Sequence, residues 1–111
     1  MPAQYKLRKS SNGQFYFSLT AENNEPILAS EMYKSKDGAL KGIESVRVNS
    51  PEDSRYVRNT SSDGKYYFVL RAANNEPIGR SEMYSSKQGM ENGIQAVKRV
   101  GPNAPVSDET S

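Results

Sequence analysis

The chain contains two copies of a single segment. Residues 5–51 align with residues 56–102 without a gap, at a constant offset of 51 positions, and 24 of the 47 aligned positions are identical. Such a duplication constrains the fold more than any local propensity does, because both copies are expected to adopt the same supersecondary unit. A unit of this length is too short to bury a stable core alone, so the two copies are expected to share one.

The composition fits one small domain spanning residues 1–111, in which 34% of the residues are hydrophobic. The net charge of +2 comes from 15 basic and 13 acidic residues, a balance that makes no strong case for a polyanionic partner. Cysteine and histidine are both absent. Their absence excludes disulfides, thiolate metal sites, Ser-His-Asp triads and zinc hydrolases, so the sequence predicts no catalytic residue, no cofactor and no metal.

Within each copy, the hydrophobic pattern predicts three strands followed by a helix. A clean alternation marks the second strand, in which Phe15, Phe17 and Leu19 point to one face. Asn12-Gly13 tolerates the positive φ of a tight hairpin before it. The ranges expected in the first copy are 4–9, 14–21 and 26–30 for the strands, then a helix capped by Ser35 that ends near Val48; at the same offset, Ser86 caps the second helix, which ends near Arg99.

The predicted fold class is therefore α+β. Two tandem βββα units share one antiparallel sheet of six or more strands, and both helices pack on one face. The first strands of the two copies are not patterned alike, since Arg58 replaces Leu7. This difference suggests strand exchange, in which the strand at 55–60 leaves its own unit and pairs with the other. Residues 103–111 are expected to form a disordered tail.

A glycine lies in the middle of each predicted helix. Gly42 and Gly93 occupy equivalent positions beside the apolar stripe, and each costs about 1 kcal/mol relative to alanine. The simpler interpretation is close packing of the helix on the sheet or on the other helix. The alternative is a ligand that approaches the helix backbone.

Several motifs recur in order in both copies, and together they resemble a known family. They are Ser11–Phe17 and Ser62–Phe68, Asn23–Ile27, Ser30–Tyr33, and Gly42-Ile43 with Val46. The chain resembles the YegP-like family of uncharacterised proteins over both repeats. That resemblance implies tandem βββα(β) units joined in a single sheet, with strand exchange between them. It implies no activity, substrate or catalytic residue, and the microbial range of the family supports a cytoplasmic location.

The sheet face opposite the helices is the first candidate for function. If the apolar residues of the second strand face the helices, the residues between them face away. Tyrosines that stack on bases and basic side chains that bind phosphates are what a sheet-based nucleic-acid binder needs. The plainer interpretation is a solvated face with two exposed aromatics, which is common on antiparallel sheets. The expected face shows no acid, and its candidate nucleic-acid-binding residues are Lys6, Arg8, Tyr16, Lys65, Tyr67 and Arg71.

Two repeated acidic motifs are further candidates. Ser-Glu-Met-Tyr occurs at 30–33 and 81–84. A pseudo-two-fold axis is expected to relate the two copies, and Glu31 and Glu82 would form a pair for acid–base chemistry if they met across it. The alternative is that each glutamate binds loop amides while the methionine and tyrosine pack under the turn. The repeated Asn-Asn-Glu at 23–25 offers too few oxygen ligands for calcium, and tight-turn chemistry explains it.

The sequence thus favours a non-catalytic binding or interaction module whose partner is unknown, with dimerisation through sheet edges as one option. A nucleic-acid-associated protein that uses the open sheet face is the alternative. An enzyme that relies on Glu31 and Glu82 is the second alternative. The N-terminal residues include no apolar signal segment, and no apolar run in the sequence is long enough to cross a membrane. A cytoplasmic location is therefore expected.

Overall fold

The strands of both repeats form one sheet, and their alternating apolar side chains point to the same face of it. A computed structural model describes residues 2–110. Its elements are β1 Gln4–Lys9, β2 Phe15–Thr20, β3 Pro26–Ser30, α1 Lys36–Asn49, a 3₁₀ turn Asp53–Arg55, β4 Tyr56–Thr60, β5 Tyr66–Arg71, β6 Pro77–Arg80, α2 Lys87–Val100 and β7 Val106–Asp108. The seven strands lie in the spatial order β4-β5-β6-β3-β2-β1-β7. Reversing that order exchanges the two repeats, apart from β7, so the expected pseudo-two-fold arrangement is confirmed.

Both helices begin where the sequence predicts. The side chains of Ser35 and Ser86 accept hydrogen bonds from the backbone N–H groups of Gly38 and Gly89, so each serine satisfies an otherwise unpaired donor of the first turn. Within residues 2–110, neither helix combines the length and apolar character that crossing a membrane requires.

The core lies between the helices and one face of the sheet, and the two repeats share it. Tyr5, Leu7, Phe17 and Leu19 from the first repeat are fully buried, as are Phe68 and Leu70 from the second. Helix α1 contacts β5 and β6 as well as β2, and α2 contacts β3 as well as β5. Each helix therefore packs across the boundary between the units, which is why neither unit buries its apolar face alone.

The strands β3 and β6 join the repeats at the centre of the sheet. Their ladder contains the pairs Ala29 with Arg80 and Ser30 with Gly79. A β-carbon placed on Gly79 would lie 2.9 Å from Cγ of Leu28, which is buried. Since Leu28 and Gly79 are equivalent positions in the two repeats, the junction accommodates one leucine only, and the other copy must be small.

The mid-helix glycines are positions of close packing. A β-carbon on Gly42 would collide with the hydroxyl of Tyr33 and lie 2.8 Å from its Cζ, and Gly93 meets Tyr84 in the same way. The tyrosine of each Ser-Glu-Met-Tyr motif thus lies directly against the helix backbone. The close-packing interpretation is confirmed, although the tyrosine rather than the sheet backbone or the other helix makes the closest contact.

The predicted disordered tail is wrong for part of its length. Residues Val106–Asp108 form β7, which pairs with β1 in parallel and makes the sheet mixed rather than wholly antiparallel. The backbone N–H of Tyr5 donates to Pro105 O at 2.8 Å, and that of Glu109 donates to Leu7 O at 2.8 Å. Pairing with an otherwise open edge satisfies backbone groups that a polar tail would have left in water, and Ser111 lies outside the described residues.

Exchange of the strand at 55–60 is also wrong. Strand β4 pairs antiparallel with β5 of its own unit, and it forms the edge of the sheet. The strand that reaches the other unit is β7. Arg58 and Leu7 occupy equivalent positions with different surroundings. Leu7 lies on β1, which pairs with β7, whereas Arg58 lies on the edge strand β4 and binds Glu91 of α2 at 2.6 Å. The equivalent of Glu91 in the first repeat is Leu40, so both members of this ion pair are leucines in the first repeat.

Candidate functional site

The face of the sheet that the helices leave open carries all six predicted side chains. Pairing of Lys6 with Ser18 and of Arg8 with Tyr16 places these residues opposite the buried pair Leu7 and Phe17. In the second repeat, Tyr67 pairs with Asn59 on the same face. Lys65 lies two residues before Tyr67, so the alternation brings it to this face too. The register of β5 shifts between Leu70 and Arg71, and Arg71 is placed on this face by the cavity that it lines together with Val69 and Arg80.

In the first repeat, a carboxylate that the sequence interpretation missed reaches the open face. Glu109, just beyond β7, binds the Arg8 guanidinium at 2.9 Å. That hydrogen bond lowers the pKa of the Glu109 carboxyl and raises the pKa of Arg8. The prediction that this face contains no acid is therefore wrong, because it rested on a tail without structure.

In the second repeat, the structure adds a cation that the sequence interpretation missed. Arg80 on β6 pairs with Val69, and its guanidinium carbon lies 5.3 Å from the centroid of the Tyr67 ring. This is a cation–π geometry. The signal was available in the sequence, since Arg80 stands where the first copy has Ala29.

The predicted residues form two groups rather than one continuous surface. Lys6, Arg8 and Tyr16 lie on β1 and β2, whereas Tyr67 lies on β5. Strands β3 and β6 separate the groups, so β2 and β5 are three inter-strand spacings apart, roughly 14 Å. The two tyrosines are too far apart to stack on the same base.

A cavity lies between these groups, at the junction of the repeats. We call it the seam cavity; its volume is about 500 Å³. Two basic side chains and one carboxylate line it, together with small residues of β3 and β6. The lining residues are Ala29, Ser30, Glu31, Val69, Arg71, Pro77, Gly79, Arg80 and Ser81.

The serine and the tyrosine of the Ser-Glu-Met-Tyr motif connect the end of β6 to β5 through hydrogen bonds. The hydroxyl of Ser81 accepts a hydrogen bond from Phe68 N at 2.9 Å and donates one to Glu82 O at 2.8 Å. Two backbone hydrogen bonds between Tyr84 and Tyr66 then extend the sheet beyond β6. The first repeat repeats these contacts through Ser30.

The motif's other two residues depart from expectation. Met32 and Met83 are 54% and 48% exposed, so the prediction that they pack under the turn is wrong. Glu31 lines the seam cavity, whereas Glu82 lines a second cavity of about 510 Å³ beside α2. The two carboxylates therefore do not share a cleft.

The Asn-Asn-Glu segments are tight turns, as predicted. Asn24 and Asn75 adopt positive φ values of 67° and 72°, and the side chain of Asn23 accepts a hydrogen bond from Glu25 N at 3.1 Å. Between residues 2 and 110 there is no cluster of three or more acidic side chains arranged to hold a metal ion.

Comparison with known proteins finds one domain twice. The family model described as domain of unknown function DUF1508 matches residues 10–56 and 61–108. An UPF0339 protein of Pseudomonas aeruginosa is 48% identical over 110 residues, which cover 99% of this chain and all of the relative. The UPF0339 protein YegP of Escherichia coli is 51% identical, with the same coverage.

Two solved structures share the fold. The solution NMR structure of yegP from E. coli, described as a protein of unknown function, has a TM-score of 0.94 and 50% identity, covering all of this chain and 96% of that one. The solution NMR structure of an UPF0339 protein from Shewanella oneidensis has a TM-score of 0.93 and 48% identity, covering 99% and 93%. These relatives carry no enzymatic name, and they are uncharacterised.

Proposed function

The chain belongs to the DUF1508 family, whose relatives have no assigned activity, and on that premise we propose that it is a non-catalytic binding module. Its binding surface is the open face of the sheet. The observation that carries this proposal is the one-sided packing of α1 and α2, which leaves a face with two tyrosines at equivalent positions and five basic side chains. Those basic residues are Lys6, Arg8, Lys65, Arg71 and Arg80.

Charge favours an anionic partner for this surface. The five basic side chains outnumber the carboxylates of Glu31 and Glu109, and Glu109 is already paired with Arg8. An electropositive patch of this size on a protein of net charge +2 attracts a partner locally rather than through a long-range field.

Catalysis by the repeated glutamates receives no support. General acid–base chemistry by two carboxylates needs both near one reacting group. Glu31 and Glu82 line different cavities. We therefore propose no enzymatic role for the chain. We propose a cytoplasmic location, since a chain without cysteines forms no disulfides and is compatible with a reducing compartment.

The test uses isotope-labelled protein in unlabelled cell extract. Amide signals of residues in contact with a partner broaden selectively, so NMR reports which face is used. We expect broadening of the amides of Lys6, Tyr16, Tyr67 and Arg80, and loss of that broadening in a Tyr16→Ala/Tyr67→Ala variant that remains folded. Broadening on the exposed sides of α1 and α2, or an unchanged spectrum, would refute the proposal.

Nucleic acid is the second candidate, because the open face combines basic residues with two tyrosines. Base stacking on such a tyrosine contributes about 1–3 kcal/mol per base. Short single-stranded RNA and DNA should shift the amides around Tyr16 and Tyr67, with an affinity that falls steeply as salt rises. Binding that the double tyrosine variant leaves unchanged would exclude this candidate while leaving other anionic partners open.

A further inference from the structure

The seam cavity breaks the symmetry of the duplicated fold. Arg71 and Arg80 line it, whereas the equivalent residues of the first repeat are Thr20 and Ala29. Thr20 is only 3% exposed, and its hydroxyl donates to Gln4 O at 3.2 Å. The second repeat has therefore gained two positive charges at the junction, at positions where the first repeat is neutral.

Arg71 has donors that its own surroundings do not satisfy. Its Nε is buried and has no acceptor among the residues that the structure describes. The hydrogen bond from Nη1 to Asn75 O is long, at 3.4 Å. A guanidinium has five donors in a planar fork that matches a carboxylate or phosphate, and a buried donor left without an acceptor destabilises the folded chain.

Arg80 is the second cation of the cavity, and a weak contact with Tyr67 positions its side chain. The Arg80 guanidinium rests over the Tyr67 ring, and the backbone of Arg80 pairs with Val69, two residues before Arg71 on β5. A partly exposed cation–π contact contributes about as little as an exposed ion pair. Arg80 can therefore turn toward an anion in the cavity at small cost.

We propose that the seam cavity binds the oxyanion of a small carboxylate- or phosphate-bearing ligand, with Arg71 as the principal donor and Arg80 as the second cation. This inference rests on the proposed function, since the cavity belongs to the open face. Glu31 lines the same cavity and repels a second anionic group. A ligand that carries an ammonium group beside its oxyanion is consequently preferred to one that is purely anionic.

Three probes separate these features by NMR titration of the labelled full chain at low salt. Inorganic phosphate tests a phosphate ligand. N-acetylglycine and glycylglycine test a carboxylate, and they have similar size but differ in the ammonium group. The readouts are the Arg71 Nε–H signal and the backbone amides of Ala29, Val69 and Gly79. We expect saturable shifts with a dissociation constant on the order of 1 mM or below, and tighter binding of glycylglycine than of N-acetylglycine.

The duplication supplies matched variants. Arg71→Thr and Arg80→Ala install the residues that the first repeat already has, so both should fold. We expect Arg71→Thr to weaken binding at least about tenfold and Arg80→Ala about threefold, since one strong charged pair outweighs a distant charge. The control is Lys41→Asn, which removes a cation of α1 whose side chain is 80% exposed and lies outside the cavity. This change installs the residue of the second repeat, and the affinity should equal that of the unsubstituted chain.

Absence of saturable shifts with all three probes, or equal losses in Arg71→Thr and Lys41→Asn, would overturn the inference. Equal losses would mean that the affinity depends on the overall positive charge of the protein rather than on the residues of the cavity. Either result leaves the proposed function standing if the open-face amides still broaden in extract. Conversely, the probes could still bind the seam cavity while the amide signals that broaden in extract belong to the helices. That result would overturn the proposed function alone.

Discussion

Replacement of Gly42 by alanine tests how the repeated tyrosine fixes the helix to the sheet. Two backbone hydrogen bonds, of 2.7 and 2.8 Å, hold Tyr33 to Phe15 on β2. The Tyr33 ring stacks on Phe17, with ring centroids 6.3 Å apart. A β-carbon on Gly42 would lie 2.8 Å from Tyr33 Cζ and 2.9 Å from Phe17 Cε2, both below the closest normal contact of such carbons.

Two opposing effects set the expected magnitude. Alanine in a helix interior is favoured over glycine by about 1 kcal/mol. Overpacking a well-filled core costs roughly 1–3 kcal/mol, and the upper end applies because Phe17 is fully buried and Tyr33 is tied to β2 through its backbone. The net expectation is a loss of about 2 kcal/mol, which lowers Tm by about 8 °C in a domain of this size.

Urea denaturation of a graded series measures this effect. Gly93→Ala should cost less than Gly42→Ala, because its β-carbon would lie 3.3 Å from Phe68 rather than 2.9 Å from the equivalent Phe17. Gly89→Ala is the control: its nearest contacts are 3.2 Å from the Ser86 hydroxyl and 3.5 Å from Tyr84, so its effect should stay within about 0.5 kcal/mol.

A double-mutant cycle identifies the clashing atom. Tyr33→Phe removes the hydroxyl that lies nearest to the Gly42 position. In the Gly42→Ala background, it should recover about 1 kcal/mol, which is the coupling expected of residues in contact. If Gly42→Ala is neutral or stabilising, or if Tyr33→Phe recovers nothing, the reasoning that the tyrosine locks the helix in place is wrong.

Three further predictions concern the edges and the strand junction. Replacing the charged pair at the β4 edge with the residues of the first repeat, Arg58→Leu with Glu91→Leu, should produce concentration-dependent self-association in sedimentation experiments, because an inward charge protects an edge strand; a strictly monomeric variant would contradict this. Acidification should release β7: the pKa of Asp108 is lowered to about 2 by Lys36 and that of Glu109 is lowered by Arg8, so their contribution is fully present only above about pH 4.5 and is lost as pH falls toward 2. Amide exchange of β7 that is as slow at pH 2 as at pH 6 would refute it. Ser81→Ala should cost about 1–3 kcal/mol in urea denaturation, since it leaves a buried backbone N–H without an acceptor, and a loss below 0.5 kcal/mol, roughly the scatter of neutral substitutions, would contradict that role.

The open face illustrates how far sequence patterns reach. The strict alternation around Phe17 and Phe68 places Tyr16 and Tyr67 correctly on the face away from the helices, because the two-residue period leaves no other choice. The alternation did not predict that Arg80 lies on the open face, because β6 contains only four residues and its register with β5 shifts after Leu70. In so short a strand the alternation carries little information.

The sequence alone determined six of the seven strands and both helices, but it assigned the strand at 55–60 to the wrong unit. The serine caps and the glycine hairpins are local signals, and each acts through the conformation of a few neighbouring residues. Only the tertiary structure decided what lies far apart in sequence. The pairing of β7 with β1, the contact of Tyr33 with Gly42 and the meeting of Arg71 and Arg80 at the seam all depend on where whole elements dock. Docking follows the summed burial of two repeats, to which any single pattern along the chain contributes only a part.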